Sequence, residues 1–481
     1  MHNLKRIAGF IALGFVLSGS GCGNKNKKGN KVISPDGTTE EQAAVNPNKA
    51  SAEAKEDFGK VVKKYESATK EGATLSKSQC ADIADGFMGV YKKHGKQMTV
   101  AWFNAGAVHD ECGEHEKAEQ VYKDVIAKVP KYDLSYNNLG VIYWDRRQEQ
   151  RALDYFKKAV DANPATRAPR NNLAASLRNK YSRDPKQADF DAAERDLQRV
   201  LAVDSGNRLA YENLARLYYD RGRLKDKSYL LLADLVIYQA NQVLKTAEIK
   251  SPDLFNLKGL IYMERDNQID ALRSFKSAAE VKPDHADAHM NIAMISIRFR
   301  DYKQAEESIQ IAMKDNRQKK NIEALIGLGV AQRGLRKYKD SEKAFKKALE
   351  INKTDPRPLY NLGILYHEHI AATQEEFSKK PYETAKDYFK KFASKAGNNK
   401  DYSDKVADAG NRIKGIEQLF KDIAEMKVLE AEAKKMEELM KKQEAEARKD
   451  LLDIEARAKK AAAAAAAQAA GGGDAKKDDA K

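Results

Sequence analysis

One short segment concentrates the residues most capable of chemistry: His109, Asp110, Cys112, Glu114 and His115. Imidazole, carboxylate and thiolate groups are the ligands that bind Zn²⁺ in proteins. The spacing argues against a metal site, because His109 stands at a repeat position that tyrosine fills elsewhere in the chain. The remaining residues of the segment fall in a turn between two helices. We therefore predict no metal site here.

Other signatures of catalysis are weak. His367 and His369 stand two residues apart and would diverge on a helix, whereas a zinc-binding helix carries its histidines four residues apart. The sequence contains no phosphate-binding glycine loop of the P-loop type and no nucleophile elbow. We expect no enzymatic activity, no cofactor and no small-molecule substrate.

The N-terminal cysteine, Cys22, is a candidate for lipidation. Two basic residues precede an apolar run over residues 7–17, which is typical of a secretory signal peptide and too short to span a bilayer. Small residues followed by Cys22 resemble the processing motif of bacterial lipoproteins, although Gly19 stands where that family prefers leucine. The resemblance implies removal of residues 1–21 and acylation of Cys22. The alternative is an ordinary secreted protein in which Cys22 is incidental.

The two other cysteines, Cys80 and Cys112, would then lie outside the cytoplasm, where disulfides persist. Each falls near the turn between the two helices of its repeat, and the two repeats are consecutive. The spacing of neighbouring repeats can exceed the short distance between α-carbons that a disulfide needs. Both a disulfide and two separate thiols remain open at this point.

A repeat of 34 residues starting at Thr99 determines where these residues lie. Aromatic residues recur at positions 4 and 24, small residues at positions 8 and 20, and proline at position 32. The first two repeats supply Trp102, Gly106, Ala118, Tyr122 and Pro130, then Tyr136, Gly140, Ala152, Phe156 and Pro164. This pattern predicts two antiparallel helices per repeat, with proline ending the second helix.

The register resembles the tetratricopeptide repeat family over residues 65–399. The resemblance implies an all-α, right-handed helical solenoid with a protein-binding surface. We expect capping helices or a degenerate repeat over residues 51–98 and about eight repeats over residues 99–399. Extra residues occur in the third, fourth and eighth repeats, and we place those of the third in the turn around residues 183–188.

The two ends of the chain differ from the repeats. Residues 22–50 have the composition of a flexible tether, residues 400–470 read as a capping helix continued by a long charged helix, and residues 471–481 should be disordered. A weak heptad-like stripe on the long helix contains Met426, Leu429, Ala433, Met436 and Met440. It indicates a short coiled coil or a partner-binding helix; the alternative is a solvated charged helix.

The register also predicts a binding wall on the first helices. Position 6 is asparagine in six repeats: Asn104, Asn138, Asn172, Asn213, Asn291 and Asn361. In family members that bind extended peptides, asparagines at this position resemble a ladder whose amides pair with ligand backbone groups. Val141, Trp144 and Tyr219 would add an apolar surface for an apolar or amphipathic segment. The alternatives are a structural asparagine of the repeat consensus and ordinary packing between repeats.

The formal net charge of +15 could suit nucleic acid or an anionic surface, but a secreted chain is not expected to bind nucleic acid. The overall layout resembles the tetratricopeptide lipoprotein of the myxobacterial adventurous gliding-motility machinery. That resemblance implies a scaffold in a multiprotein envelope complex, attached to the membrane by its acyl anchor and facing the periplasm, with the outer membrane favoured. A pilotin or assembly factor for an outer-membrane channel, and an adaptor regulating a cell-wall enzyme, are the alternatives.

Overall fold

The computed structural model describes residues 50–70, 73–246, 250–374 and 376–471. All regular secondary structure within these residues is helical, which confirms the all-α prediction. Cys22, the predicted signal peptide and most of the predicted tether and C-terminal tail lie outside the described residues. In the part of the chain that is described, no helix combines the length and the apolar character needed to cross a membrane.

The chain divides into two compact units, Met1–Ile292 and Ala293–Lys481. The helices of the first unit are α1 (Ala52–Ala68), α2 (Lys77–His94), α3 (Thr99–Glu111), α4 (His115–Lys128), α5 (Asp133–Asp145), α6 (Glu149–Ala162), α7 (Ala168–Arg183), α8 (Gln187–Val203), α9 (Arg208–Leu224), α10 (Tyr229–Lys245), α11 (Pro252–Glu264) and α12 (Gln268–Val281). Helix α13 (Ala286–Arg298) contains the boundary. The helices of the second unit are α14 (Tyr302–Ala312), α15 (Ile322–Gly334), α16 (Tyr338–Ile351), α17 (Arg357–Ile364), α18 (Lys379–Ala396) and α19 (Ser403–Gly471).

Glycine and aromatic residues interlock the two helices of a repeat. A Cβ atom on Gly140 of α5 would lie 2.5 Å from Cε1 of Phe156 on α6, closer than such atoms approach in proteins. The same relationship recurs in the second unit, where a Cβ on Gly329 would lie 2.5 Å from Cε1 of Phe345. The periodic glycine is therefore a steric requirement of close helix packing.

Tyrosine and glutamate side chains join successive repeats. A tyrosine hydroxyl on the first helix of one repeat, or on the π-helix that continues it in the eighth repeat, donates to a glutamate on the second helix of the repeat before it. The pairs are Tyr143 with Glu119 at 2.7 Å, Tyr218 with Glu194 at 2.6 Å and, in the second unit, Tyr366 with Glu342 at 2.8 Å. These bonds fix the stacking of neighbouring repeats within each unit.

The extra residues of the third and fourth repeats correct one expectation. They lengthen the helices instead of forming a loop: α7, α8, α9 and α10 have 16, 17, 17 and 17 residues, against 13 and 14 for α5 and α6. The turn after α7 consists of only residues 184–186. In the eighth repeat, the segment after α17 continues as a π-helix over Leu365–Ile370 and a short 3₁₀ helix over Ala371–Thr373.

The N-terminal helix pair is joined to the first repeat by a disulfide. Helices α1 and α2 pack through Phe58 and Phe87, whose ring centroids lie 5.5 Å apart. Cys80 of α2 is bonded to Cys112, the residue after α3, and their α-carbons lie 6.3 Å apart. The structure thus contains the disulfide, one of the two options that the sequence left open.

The long C-terminal helix α19 has two parts. Near its start, the buried residues Ala409 and Ile416 pack in a core with Phe389 and Phe392 of α18. Residues 424–468 are exposed throughout. The first part caps the eighth repeat, and the second extends into solvent for most of its length.

Candidate functional site

The first three predicted wall asparagines are buried. Asn104, Asn138 and Asn172 are only 2%, 1% and 5% exposed, while Asn213, Asn291 and Asn361 are half-buried. On α3 and α7, ten consecutive residues, 99–108 and 169–178, are buried on all sides of the helix. The first three repeats therefore do not present the open asparagine wall that the register suggested.

The buried amides bind one another across repeats. Nδ2 of Asn172 on α7 donates to Oδ1 of Asn137 on α5 at 2.8 Å, and Nδ2 of Asn137 donates to Oδ1 of Asn138 at 3.1 Å. Nδ2 of Asn138 then donates to the Tyr122 hydroxyl of α4 at 3.0 Å. This chain of amides spans three helices, so two of the predicted ligand-binding asparagines are instead engaged in packing.

Two of the later asparagines, Asn291 and Asn361, also bond to other groups of the protein. Nδ2 of Asn291 donates to Oδ1 of Asn256 at 2.9 Å, which repeats the contact between Asn172 and Asn137. In the second unit, Asn361 accepts from the Arg333 guanidinium at 3.3 Å and donates to the Arg357 carbonyl at 3.0 Å. Asn104 differs, because both polar atoms of its buried amide lack a hydrogen-bond partner.

The predicted apolar wall residues are likewise buried or half-buried. Val141 is a core residue with 1% exposure, and Tyr219 is largely buried with its hydroxyl 3.2 Å from Oε1 of Glu264. Trp144 is half-buried against the core of the first unit. The apolar surface that the sequence predicted for a ligand at Val141, Trp144 and Tyr219 is thus largely interior, and this burial corrects that expectation.

A half-buried polar face remains on the fourth repeat. We use the name fourth-repeat wall for Glu212, Asn213, Arg216 and Asp220 of α9 together with Met263 and Glu264 of α11, all of intermediate exposure. Asn213, Arg216 and Asp220 lie along one helix face because they are spaced three and four residues apart, and Glu212 adjoins Asn213. Contacts orient this face toward α11, since the Ser251 hydroxyl that caps α11 donates to Oε1 of Glu212 at 2.7 Å.

A buried ion pair supports this wall from the preceding repeat. The Arg178 guanidinium on α7 lies 3.9 Å from the Asp220 carboxylate, and Arg178 is only 5% exposed. Burial lowers the pKa of Arg178 to about 10, against the opposing effect of Asp220. Burial likewise raises the pKa of Asp220, although Arg178 and Arg216 favour its charged form. Desolvation thus disfavours the charged form of both Arg178 and Asp220.

Further charges of both signs complete the network. The Arg208 guanidinium lies 2.5 Å from Glu212, and Nε2 of His285 lies 3.5 Å from Oδ1 of Asp253 at the start of α11. Burial would raise the pKa of Asp253, but His285 and then Arg216 lower it. The wall therefore combines amide, guanidinium and carboxylate groups, which can donate to and accept from the polar groups of a peptide.

The sequence pattern did not reveal Arg178 and Asp220. The two residues are 42 positions apart, because the lengthened helices of the third repeat break the 34-residue spacing. The signal that could have found them was the run of charged residues at the end of α9, which includes Arg216, Asp220 and Arg223.

The histidine-rich segment forms two separate contacts across a turn. Nδ1 of His109 lies 2.6 Å from Oε2 of Glu114, and Nδ1 of His115 lies 2.9 Å from Oδ1 of Asp110. These pairs connect the end of α3 to the start of α4, as expected for a turn between helices.

Another acidic cluster links α1 to the end of α2. The Lys93 ammonium lies 2.7 Å from Glu53 and 2.8 Å from Asp57, and Nε2 of His94 lies 3.0 Å from Asp57. Hydrogen bonds from Lys93 and His94 hold the pKa of Asp57 below its ordinary value. Lys93 thus provides the positive charge in this cluster. We interpret the cluster as a network of ion pairs between α1 and α2.

Comparison with known proteins identifies the repeats. Tetratricopeptide repeat models match residues 134–162, 186–226 and 257–312, and 322–355. Human tetratricopeptide repeat protein 6 is 42% identical over 71 residues, which are 14% of each chain. The BBSome complex member BBS4 of Bos taurus is 22% identical over 299 residues, 60% of this chain and 54% of that one. The chain thus spans at most about half the length of these relatives.

A solved structure shows a similar but partial match. A thermophilic tetratricopeptide repeat protein of Thermus thermophilus is 18% identical, with a TM-score of 0.36, and the match covers 42% of this chain and 99% of that one. The matches over residues 134–162, 257–312 and 322–355 include helix pairs whose glycines and aromatic rings interlock at the register positions. The chain therefore contains tetratricopeptide repeats over these matched residues, and a long additional helix follows them at the C-terminal end.

Proposed function

We propose that this protein is a non-enzymatic scaffold of the bacterial cell envelope that holds protein partners on its tetratricopeptide repeats. The observation that carries the proposal is the fourth-repeat wall, where a repeat built for protein binding presents half-buried polar groups of both signs. Repeat proteins bind partners along such extended surfaces. The wall contains no group arranged as an activated nucleophile.

The chemistry of the wall defines the segment that it would bind. Asn213 supplies both a donor and an acceptor for a peptide backbone, Arg216 supplies a cation, and Glu264 supplies an anion. A polar segment with charges of both signs fits this set better than an apolar one. A polyanion fits poorly, because Asp220 and Glu264 would repel it.

The envelope location is the second part of the proposal. The basic residues, apolar run and small residues before Cys22 support acylation of that cysteine and attachment to a membrane. The disulfide between Cys80 and Cys112 is in keeping with an oxidising compartment such as the periplasm. We favour the outer membrane, with the repeats facing the periplasm.

The third part concerns the complex that the scaffold serves. We propose the trans-envelope gliding-motility machinery, on the strength of the layout of lipoprotein motif, tether, repeats and Lys/Glu/Ala-rich helix. Three outcomes separate this proposal from the alternatives. A stable stoichiometric complex with motility proteins supports it, loss of an assembled secretin on deletion indicates an assembly factor, and an altered peptidoglycan hydrolase rate with purified protein indicates an adaptor.

The test of partner binding compares two double variants in the native host. Asn213→Ala with Arg216→Ala removes polar groups from the wall, whereas Lys276→Ala with Glu280→Ala changes exposed residues of α12 outside it. After crosslinking, affinity purification and mass spectrometry should show that the wall variant loses a partner that the control retains. Unchanged recovery of every partner by the wall variant would contradict the proposal.

Membrane attachment has its own test. Cys22→Ser should release the protein into the soluble fraction, because the acyl chains supply the membrane affinity. Continued attachment of this variant in high salt would argue against lipidation.

A further inference from the structure

The outer part of α19 exposes an apolar stripe. Met426, Leu429, Met436 and Met440 are 58%, 63%, 60% and 55% exposed, and Ala433 between them is exposed as well. The spacing of three and four residues places these five side chains on one helix face. We call them the α19 seam.

Glutamates flank the seam on both sides. With the seam residues at positions a and d of a heptad, positions e and g lie beside them. Over residues 425–446 these flanking positions hold Glu425, Glu430, Glu432, Glu437, Glu444 and Glu446, with Leu439 as the exception. The helix therefore presents apolar side chains between two acidic rows.

The basic residues of the same segment lie on the opposite face. Positions b and c hold Lys427, Lys434, Lys435, Lys441 and Lys442. The Lys441 ammonium lies 2.6 Å from Glu437, four residues earlier, and such pairs stabilise the isolated helix. The near balance of acidic and basic residues in this segment hides a strong separation of charge around the helix.

This separation disfavours a second copy as the occupant of the seam. In a parallel pair of helices, position g of one chain faces position e of the other, and in an antiparallel pair each faces its own kind. Either arrangement of two α19 helices would place glutamate opposite glutamate. Such like-charge pairs oppose association.

The same pattern disfavours an anionic membrane. Helices that lie on such membranes carry lysine or arginine on the polar face, within reach of lipid phosphates. Here the residues that border the apolar stripe are glutamates, and lipid phosphates would repel them.

We infer that the α19 seam binds an amphipathic helix of another protein whose own apolar stripe is flanked by lysine or arginine. Basic residues at the flanking positions would face the two glutamate rows and form ion pairs along the contact. The acidic rows extend over 22 residues, 425–446, which corresponds to about 33 Å of helix. A partner helix of about three heptads therefore matches the seam.

This inference deepens the proposed scaffold role and rests on it only in assuming that the protein gathers partners. It uses a surface separate from the fourth-repeat wall. The wall variant Asn213→Ala with Arg216→Ala should keep full binding at the seam, so failure of one site leaves the other testable.

The test uses two synthetic helical peptides of three heptads with an identical leucine seam, one flanked by lysines and the other by glutamates. Their binding to the full chain is measured by fluorescence anisotropy at low and high salt. We expect the lysine-flanked peptide to bind at least about tenfold more tightly, with the difference shrinking as salt rises. Equal binding of the two peptides, or no binding of the lysine-flanked one, would overturn the inference.

Matched charge variants locate the effect. Glu430→Lys with Glu437→Lys changes two flanking positions, while Glu438→Lys with Glu455→Lys makes the same change in net charge at positions away from the seam. The flanking variant should lose or invert the peptide preference, and the control should keep it. Glu430→Gln with Glu437→Gln, combined with circular dichroism, distinguishes loss of charge from loss of helix and should also reduce the preference.

Two further measurements address the other occupants. In analytical ultracentrifugation, the native chain and the Met436→Asp variant should have the same association state. The native chain and the Met436→Asp variant should also bind equally to vesicles of phosphatidylglycerol. A positive result in either measurement would assign the seam to a second copy or to a membrane and would overturn the inference.

Discussion

The side-chain amide of Asn172 donates a hydrogen bond of 2.8 Å to Oδ1 of Asn137, which joins the first helices of the second and third repeats. Asn137 is fully buried, so no water reaches its carbonyl oxygen. Asn172→Ala leaves that oxygen without this donor and should cost about 1–3 kcal/mol. Hydrogen exchange of the amides of α5 and α7 would measure the loss of local stability.

The equivalent residue of the fourth repeat provides the control. Asn213 is half-buried on the wall, and Asn213→Ala should change stability by less than about 0.5 kcal/mol while weakening partner capture. Equal destabilisation by the two substitutions would contradict the distinction between packing and binding asparagines.

The steric role of the register glycines predicts opposite effects for two alanine substitutions. Gly140→Ala places a Cβ against the Phe156 ring and should destabilise the second repeat by about 1–3 kcal/mol. Gly89→Ala, on α2 with open space at the Cβ position, should stabilise its helix by up to about 1 kcal/mol. Urea unfolding followed by the fluorescence of Trp102 and Trp144 would compare them. Stabilisation by both substitutions would show that the ring adapts.

The junction between the first two repeats should weaken in acid. Burial alone would raise the pKa of Glu119, but hydrogen bonds from Lys123, Tyr143 and Arg146 lower it to about 2, against an ordinary value of 4.5. A carboxyl group whose pKa is lower in the folded state stabilises the fold at pH values above its pKa in the unfolded chain. This contribution is lost as the pH falls from about 5 toward about 2. Thermal unfolding between these pH values should show the loss, and Glu119→Gln should reduce it.

A neighbouring glutamate serves as the control for this pH dependence. Glu116 also contacts Arg146, at 3.2 Å, but its side chain is 87% exposed. Glu116→Gln should leave the acid limb of the stability profile unchanged. An equal effect of the two substitutions would mean that general charge balance, and not the buried junction, sets the acid sensitivity.

The disulfide should stabilise the N-terminal helix pair against unfolding. Cys80 and Cys112 are 32 residues apart, and closing a loop of that size lowers the entropy of the unfolded chain by an amount worth about 3–4 kcal/mol. Dithiothreitol should lower the melting temperature of the native chain and have no effect on Cys80→Ser with Cys112→Ser. No response of the native chain to reductant would contradict this contribution.

The periodic residues were sufficient to predict the helix pairs, because the steric demand that Gly140 and Phe156 place on each other is local and recurs between Gly259 and Phe275, Gly329 and Phe345, and Gly363 and Phe389. The count of extra residues could not predict their location. A longer repeat is compatible with a loop or with longer helices, and the structure shows α7 to α10 lengthened.

The candidate site was less predictable for a related reason. A register position states which helix face a residue occupies, but its exposure depends on the neighbouring repeats. Asn172 and Asn213 share position 6, yet the first is buried against Asn137 and the second is half-buried. The contact between Arg178 and Asp220 joins two lengthened repeats, so the 34-residue spacing did not pair these two residues.

Site-specific photocrosslinking in living cells tests the central claim most directly. A photoreactive amino acid replaces Asn213 on the fourth-repeat wall in one strain and Lys276 on the exposed face of α12 in another. We predict a discrete crosslinked product at position 213, identified by mass spectrometry as an envelope protein, and none at position 276. The absence of a product at position 213, or the same products at both positions, would contradict the claim that the repeats hold a protein partner on this wall.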